Sequence, residues 1–195
     1  MTRLLLASAS PRRRDLLSQA GLEFRIEVSG ADELIDPDTA PEEAAAVLAE
    51  RKARAVADRH SGEDLLVLGA DTVVCVDGPA GSELLGKPEG PEDARRMLAA
   101  LSGSRHRVVT GVSVVRCGDG AVWTDFERTW VTMRELLEQE IEAYVASEEW
   151  RDKAGGYAIQ ENADAFVTAL EEGGFDNVVG LPLELSQDLL ARARA

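Results

Sequence analysis

Short apolar runs alternate along this chain with segments whose apolar residues recur at helical spacing. Leu4 to Ser8 predicts a buried strand. Ser10-Pro11 then predicts a helix to about Ala20, since serine caps a helix start and proline suits its first position. Gly21 closes that helix, and a second strand is expected around Phe24 to Ser29. Pro37 to Pro41 reads as a loop. From Pro41 to about His60 the composition shifts from Ala and Glu to Arg and Lys, the order a helix dipole favours. Leu65 to Val76 is a long branched apolar run, suited to a central strand and interrupted only by Asp71-Thr72. Asp77 to Ser82 reads as a turn.

Pro91 to Leu101 predicts another helix, ended by Gly103. Val108 to Cys117 and Val122 to Met133 read as an antiparallel pair joined near Gly118 to Gly120. Glu135 to Trp150 predicts an acidic amphipathic helix, Ala165 to Leu170 a strand, and Leu183 to Ala193 a final helix after Gly180-Leu181-Pro182. Strands alternating with helices, broken by one hairpin, imply an α/β protein with a mixed sheet. No internal repeat, Walker loop or GxGxxG segment is present.

Composition narrows the function. With 195 residues, 45% of them apolar, a single domain over 1–195 is expected. The net charge of −15 argues against nucleic-acid binding, which needs a basic face. An anionic substrate would require positive charge gathered locally, or a metal. Cys75 and Cys117 lie in Val-rich runs and read as small core hydrophobes, with no CxxC pair. His60 and His106 stand far apart, which disfavours a histidine metal site. No apolar run reaches eighteen residues, and Met1 to Ser8 lacks the features of a signal peptide, so no membrane partner and a cytoplasmic location are expected.

Four places call for a chemical explanation. Ser8-Ala9-Ser10-Pro11-Arg12-Arg13-Arg14 lies between a strand and a helix N-terminus, where free N–H groups and arginine forks favour an anion. The same residues also suit an ordinary cap with solvated arginines. Asp71, flanked by apolar strand residues, must stand at a strand end, be paired, or bind a metal. Gly69 and Ala70 leave room beside it. Glu33, Lys52, Lys87 and Lys153 are scattered charges that, taken singly, read as surface residues. Gly155-Gly156-Tyr157-Ala158-Ile159-Gln160 permits close backbone approach, and an amide matches the carbonyl and N–H edge of uracil or thymine. Taken alone, the segment reads better as a surface glutamine after a glycine turn. Trp123 and Trp130 read as core or interface aromatics, Trp150 as the cap of an apolar seam, and Glu148-Glu149 as a solvated face.

Taken together, these residues resemble the Maf family of nucleoside-triphosphate pyrophosphatases. Leu6-Ala7-Ser8-Ala9-Ser10-Pro11-Arg12-Arg13 is similar to its opening signature, and Gly69-Ala70-Asp71-Thr72-Val73-Val74 to its second motif. Gly86-Lys87-Pro88 follows, then Leu101-Ser102-Gly103 with His106, and Thr110-Gly111-Val112. Asp152 to Tyr157 with Ile159-Gln160, and Asn177 to Pro182, complete the order. The resemblance spans nearly the whole chain.

It implies an α/β fold with a mixed, mostly parallel central sheet flanked by helices, an antiparallel hairpin and a deep active-site cleft. It implies cleavage between the α and β phosphates of a nucleotide, with a divalent cation. Asp71 matches the proton acceptor. Arg12, Thr72 and Gln160 match positions tied to substrate choice, in the pattern of the dTTP/UTP-type branch. Glu33, Lys52, Lys87 and Lys153 match charged cleft residues. In the mechanism this suggests, Ser8, Ser10, Arg12 and Arg13 bind substrate, while Asp71 and Glu33 hold Mg²⁺ or Mn²⁺ through oxygen donors. A homodimer is a further implication. Glu161 to Asp164 depart from the glycine usual after the motif glutamine, and Asp77 to Leu85 looks slightly long. Two other readings follow: an enzyme of broader nucleotide preference, and a non-catalytic nucleotide-binding regulator of cell division.

Overall fold

β1 (Arg3–Leu6) is followed by α1 (Pro11–Gln19), β2 (Arg25–Ile26) and the long α2 (Pro41–Ala57). Next come β3 (Leu65–Gly78), β4 (Gly81–Leu85), α3 (Pro91–Leu101), β5 (Arg105–Arg116) and β6 (Val122–Met133). The chain ends with α4 (Glu138–Ala146), β7 (Val167–Glu171), α5 (Phe175–Val179) and α6 (Leu183–Arg194). This computed structural model describes residues 3–36, 39–78, 81–160 and 162–195. Pro37-Asp38 of the expected loop and Glu161 lie outside the described residues, as do Pro79-Ala80.

The strands form a seven-stranded sheet in the order β2-β1-β3-β5-β6-β7, with β4 paired to β3. β1 runs parallel to β2 and β3, whereas β3–β4 and β6–β7 are antiparallel. The protein is therefore α/β with a mixed sheet, as the pattern implies. β4 was not anticipated: the stretch read as a turn is a second hairpin, pairing Val74 with Leu85 through Gly78 with Gly81. The acidic helix is shorter than its amphipathic pattern. It ends at Ala146, and Glu148 beyond it has a positive φ of 62°, a conformation that breaks helical hydrogen bonding.

Two compact units make up the chain. The first comprises Met1–Asp71, Thr110–Glu127 and Gly180–Ala195, and the second Thr72–Val109 and Arg128–Val179. The first has a core of Leu5, Ala7, Ala53, Val56, Ala57, Leu65, Val67, Val115 and Cys117. At two points α2 also comes up directly against the backbone of this part of the sheet. A Cβ on Gly69 would sit 2.5 Å from the Ala49 carbonyl oxygen, and one on Gly111 would sit 2.1 Å from that of Ala45. Glycine at these two strand positions lets the backbones touch. Gly69 thus leaves no room beside Asp71; helix backbone fills the space.

The second unit has its own core, in which Val74, Leu98, Val108, Val131, Tyr144, Trp150 and Tyr157 pack together. Trp150 is buried there, its indole N–H donating to the Val145 carbonyl at 3.0 Å. Trp123 and Trp130 are half-buried, and Arg105 stacks on Trp130 at 4.1 Å from the ring centre. Cys75 and Cys117 are buried free thiols, as the Val-rich runs suggest.

Candidate active site

In the first unit, three sequence-predicted residues meet at one point. The buried face of α2 is Ala44, Ala45, Leu48, Ala49, Ala53, Val56 and Ala57, joined by Pro41 and one charged residue, Lys52. The Lys52 ammonium donates to Asp71 Oδ1 and lies 2.6 Å from Glu33 Oε1. Lys52 and Asp71 are only 8% and 9% exposed, so each depends on the other for its charge. Asp71 stands within β3, and its partner is the helix lysine that the Gly69 contact brings close.

Arginine joins this group from α1. Arg13 Nε donates to the Gly180 carbonyl at 2.7 Å, and Nη1 to Ser8 Oγ at 3.3 Å. Burial lowers the Arg13 pKa; Asp71 and Glu33 oppose that shift, while Arg12 adds to it. Ser10 caps the helix by accepting the Arg13 N–H at 3.5 Å, and its own N–H donates to Ser8 Oγ at 3.2 Å. Ser8, Ser10 and Arg13 therefore form one local network at a helix N-terminus, where peptide N–H groups favour an anion. Arg12, Arg13 and Lys52 outnumber Asp71 and Glu33 by one positive charge, in a chain whose net charge is −15.

The second unit carries the remaining predicted residues. Lys153 is buried, and its ammonium donates to the Glu149 carbonyl. Gly155 and Gly156 have φ of 69° and 71°, which suit glycine. The Gly155 N–H donates to the Gly86 carbonyl at 2.9 Å, and a Cβ on Gly156 would come within 3.1 Å of Pro88. The segment with Lys153 is thereby tied to the turn with Lys87. Lys87 and Gln160 are exposed and Thr72 is half-buried.

Glu149 does more than solvate a face. Its carboxylate accepts from the Asn162 side-chain amide, and from the Asn162 N–H at 3.3 Å. The departure at Asn162 to Asp164 is a short 3₁₀ turn fastened there. Sequence reasoning missed this clasp, and missed a buried contact between His106 and Tyr157 at 2.8 Å. Spacing gives no signal for either.

Among the described residues no group of three or more His, Cys, Asp or Glu side chains is arranged to hold a metal. The oxygens of Asp71 and Glu33 converge instead on one cation, the Lys52 ammonium. No helix among the described residues is long and apolar enough to cross a membrane.

Comparison with known proteins agrees with the resemblance to the Maf family. The Maf-like protein family model matches residues 3–193. A dTTP/UTP pyrophosphatase of Moorella thermoacetica is 49% identical over 191 residues, covering 98% of this chain and 95% of that protein. One from Pelotomaculum thermopropionicum is 47% identical, covering 98% and 97%. One from Salinibacter ruber is 51% identical, covering 92% and 85%. With a match over nearly its whole length, this chain belongs to the Maf-like protein family.

Proposed function

We propose that the protein is a nucleoside-triphosphate pyrophosphatase that hydrolyses dTTP and UTP to the monophosphate and pyrophosphate. The observation that carries this reading is the buried Asp71 carboxylate, held by Lys52 beside Glu33 and Arg13. The names of the similar bacterial proteins support the substrate class.

In this reading a water oxygen attacks the α-phosphorus as the bond to the bridging oxygen breaks and pyrophosphate departs with its electron pair. Asp71 accepts the water proton. Lys52 holds that carboxylate in place. Arg12, Arg13, Lys87 and Lys153 meet the negative charge of the phosphate oxygens, aided by the Ser8 and Ser10 hydroxyls at the α1 N-terminus. Thr72 and Gln160 read the base, Gln160 through an amide edge that complements the carbonyl and N–H of uracil or thymine. Asp71 and Glu33 would supply the oxygen donors for a hard divalent cation such as Mg²⁺ or Mn²⁺, in place of their present contacts to Lys52. Such an ion, when bound, supplies further charge neutralisation at the phosphates.

Pyrophosphate release from dTTP, UTP, CTP and GTP, with Mg²⁺ or Mn²⁺ and with chelator, tests the reading. Metal-dependent turnover favouring dTTP and UTP is expected. Equal turnover on all four would remove the base assignment, and none from folded protein would remove the activity. In ¹⁸O-water the label should enter the monophosphate; label confined to pyrophosphate would place attack at the β-phosphorus.

A further inference from the structure

His106 is fully buried in the second unit, and its neighbours determine which ring nitrogen carries the proton. Ser104 Oγ lies 2.8 Å from the Leu101 carbonyl oxygen. Two oxygens so close need a proton between them, and a carbonyl has none, so the serine hydroxyl donates there. Ser104 Oγ also lies 3.2 Å from His106 Nδ1. Its own proton is already committed, so Nδ1–H must be the donor. Burial lowers the imidazole pKa to about 4, which leaves the ring neutral and Nε2 a bare acceptor. The Tyr157 hydroxyl, 2.8 Å from Nε2, therefore donates to it. The hydrogen bonds run in one direction: Tyr157 to His106 to Ser104 to the Leu101 carbonyl.

Tyr157 sits in the segment that bears Lys153 and Gln160, just after the two left-handed glycines. Tyr157 helps fix this segment to the core, together with the Gly155 N–H to Gly86 bond, the Ala158 N–H to Tyr144 hydroxyl bond at 3.3 Å and the Asn162–Glu149 clasp. His106 comes from β5, inside the sheet, and meets the Tyr157 ring edge-on at 89°. Rigid strands position loop residues well when the linking side chain has both hydrogen-bonding groups satisfied.

We propose that His106 is a positioning residue: as the neutral Nδ1–H tautomer it holds the Tyr157 hydroxyl, and through it sets where Lys153 and Gln160 meet the nucleotide. This rests on the pyrophosphatase reading above.

Two measurements test it. The first is the imidazole ¹⁵N spectrum of the full-length protein at neutral pH without nucleotide. The chain has two histidines, and His106→Gln identifies the His106 signals. A neutral ring protonated at Nδ1 is expected; an Nε2–H tautomer or an imidazolium overturns the proposal. The second is kinetic. His106→Phe keeps a ring and removes the acceptor, so kcat/KM for dTTP should fall about tenfold or more, as displaced binding groups commonly cause. The preference for dTTP over CTP should shrink as well. His106→Gln, whose Oε1 stands in for Nε2, should restore both. A His106→Phe protein that melts earlier yet keeps kcat/KM and the base preference would reduce His106 to core packing and overturn the proposal. Wild-type protein that releases no pyrophosphate from any nucleotide would overturn the pyrophosphatase reading instead, and the spectrum decides the tautomer independently.

Discussion

The Lys52 ammonium and the Asp71 carboxylate, 19 residues apart in sequence, form a buried ion pair in which each is the other's closest charge. The pair joins a helix face to a strand. It gives a carboxylate within an apolar strand a buried partner of opposite charge.

Replacing Asp71 by Asn should therefore lower kcat by roughly a hundredfold or more, the usual scale for loss of a general base. Steady-state turnover of dTTP, with circular dichroism to confirm folding, measures it. Near-normal kcat would exclude Asp71 as the base. Lys52→Met should destabilise the fold by about 3 kcal/mol, because it strands the buried carboxylate. Urea unfolding should show much of that loss recovered in the double variant Lys52→Met, Asp71→Asn; an additive loss would mean the two are uncoupled.

Gly69→Ala should be more harmful than its single added methyl suggests. The Cβ would fall 2.5 Å from the Ala49 carbonyl oxygen and 2.7 Å from the Ala53 nitrogen, both backbone atoms of α2. Overpacking of this kind costs about 1–3 kcal/mol. Displacing α2 also moves Lys52, so kcat should fall along with the melting temperature. Gly118→Ala is the control, since the nearest atom there is 3.8 Å away. Equal behaviour of the two variants would contradict the backbone contact.

Arg13→Lys keeps the charge but not the fork that reaches the Gly180 carbonyl and Ser8 Oγ together. A loss of about tenfold or more in kcat/KM for dTTP is expected, on the scale of a lost charged hydrogen bond. Unchanged kinetics would show that charge alone suffices at this position.

The two histidines should affect stability with opposite signs. Burial depresses His106 from 6.5 to about 4, so the unfolded chain binds the extra proton between those values. Its contribution is full above pH 6.5 and is lost as pH falls toward 4, a change of about 3 kcal/mol. His60 is raised by hydrogen bonding to Glu27 and then Glu63, with ring contacts of 2.7 and 3.0 Å. Its contribution is full below 6.5 and disappears as pH rises through its folded pKa. Proton NMR titration of the two rings checks both directions, and titration of His106 near 6.5 would contradict its burial.

Long elements were legible because their signals are local. Pro41 begins α2 as its composition suggests, and the Leu65 to Val76 run is the body of β3. β4 was not legible, because Gly and Pro at 78 to 81 signal a turn without saying that strands continue on both sides. Of the site, Asp71 announced itself as a carboxylate in an apolar run. Lys52 did not: one lysine in a helix rich in Arg and Glu looks solvated until its face is known. Single-residue chemistry could not select Lys87 and Lys153 either, and only the order of the motifs singled them out. Contacts such as His106 with Tyr157, 51 residues apart, depend on the folded path of the chain.

The contact of α2 with Gly69 and Gly111 has a consequence for how this protein tolerates change. Where a helix rests on a sheet through side chains, compensating substitutions can lift, tilt or slide it by fractions of an ångström. At Gly69 and Gly111 the spacer is the main chain itself, which mutation cannot trim. Lys52 is thus indexed to the sheet by peptide atoms at these two points, in addition to the packed side chains of the α2 face.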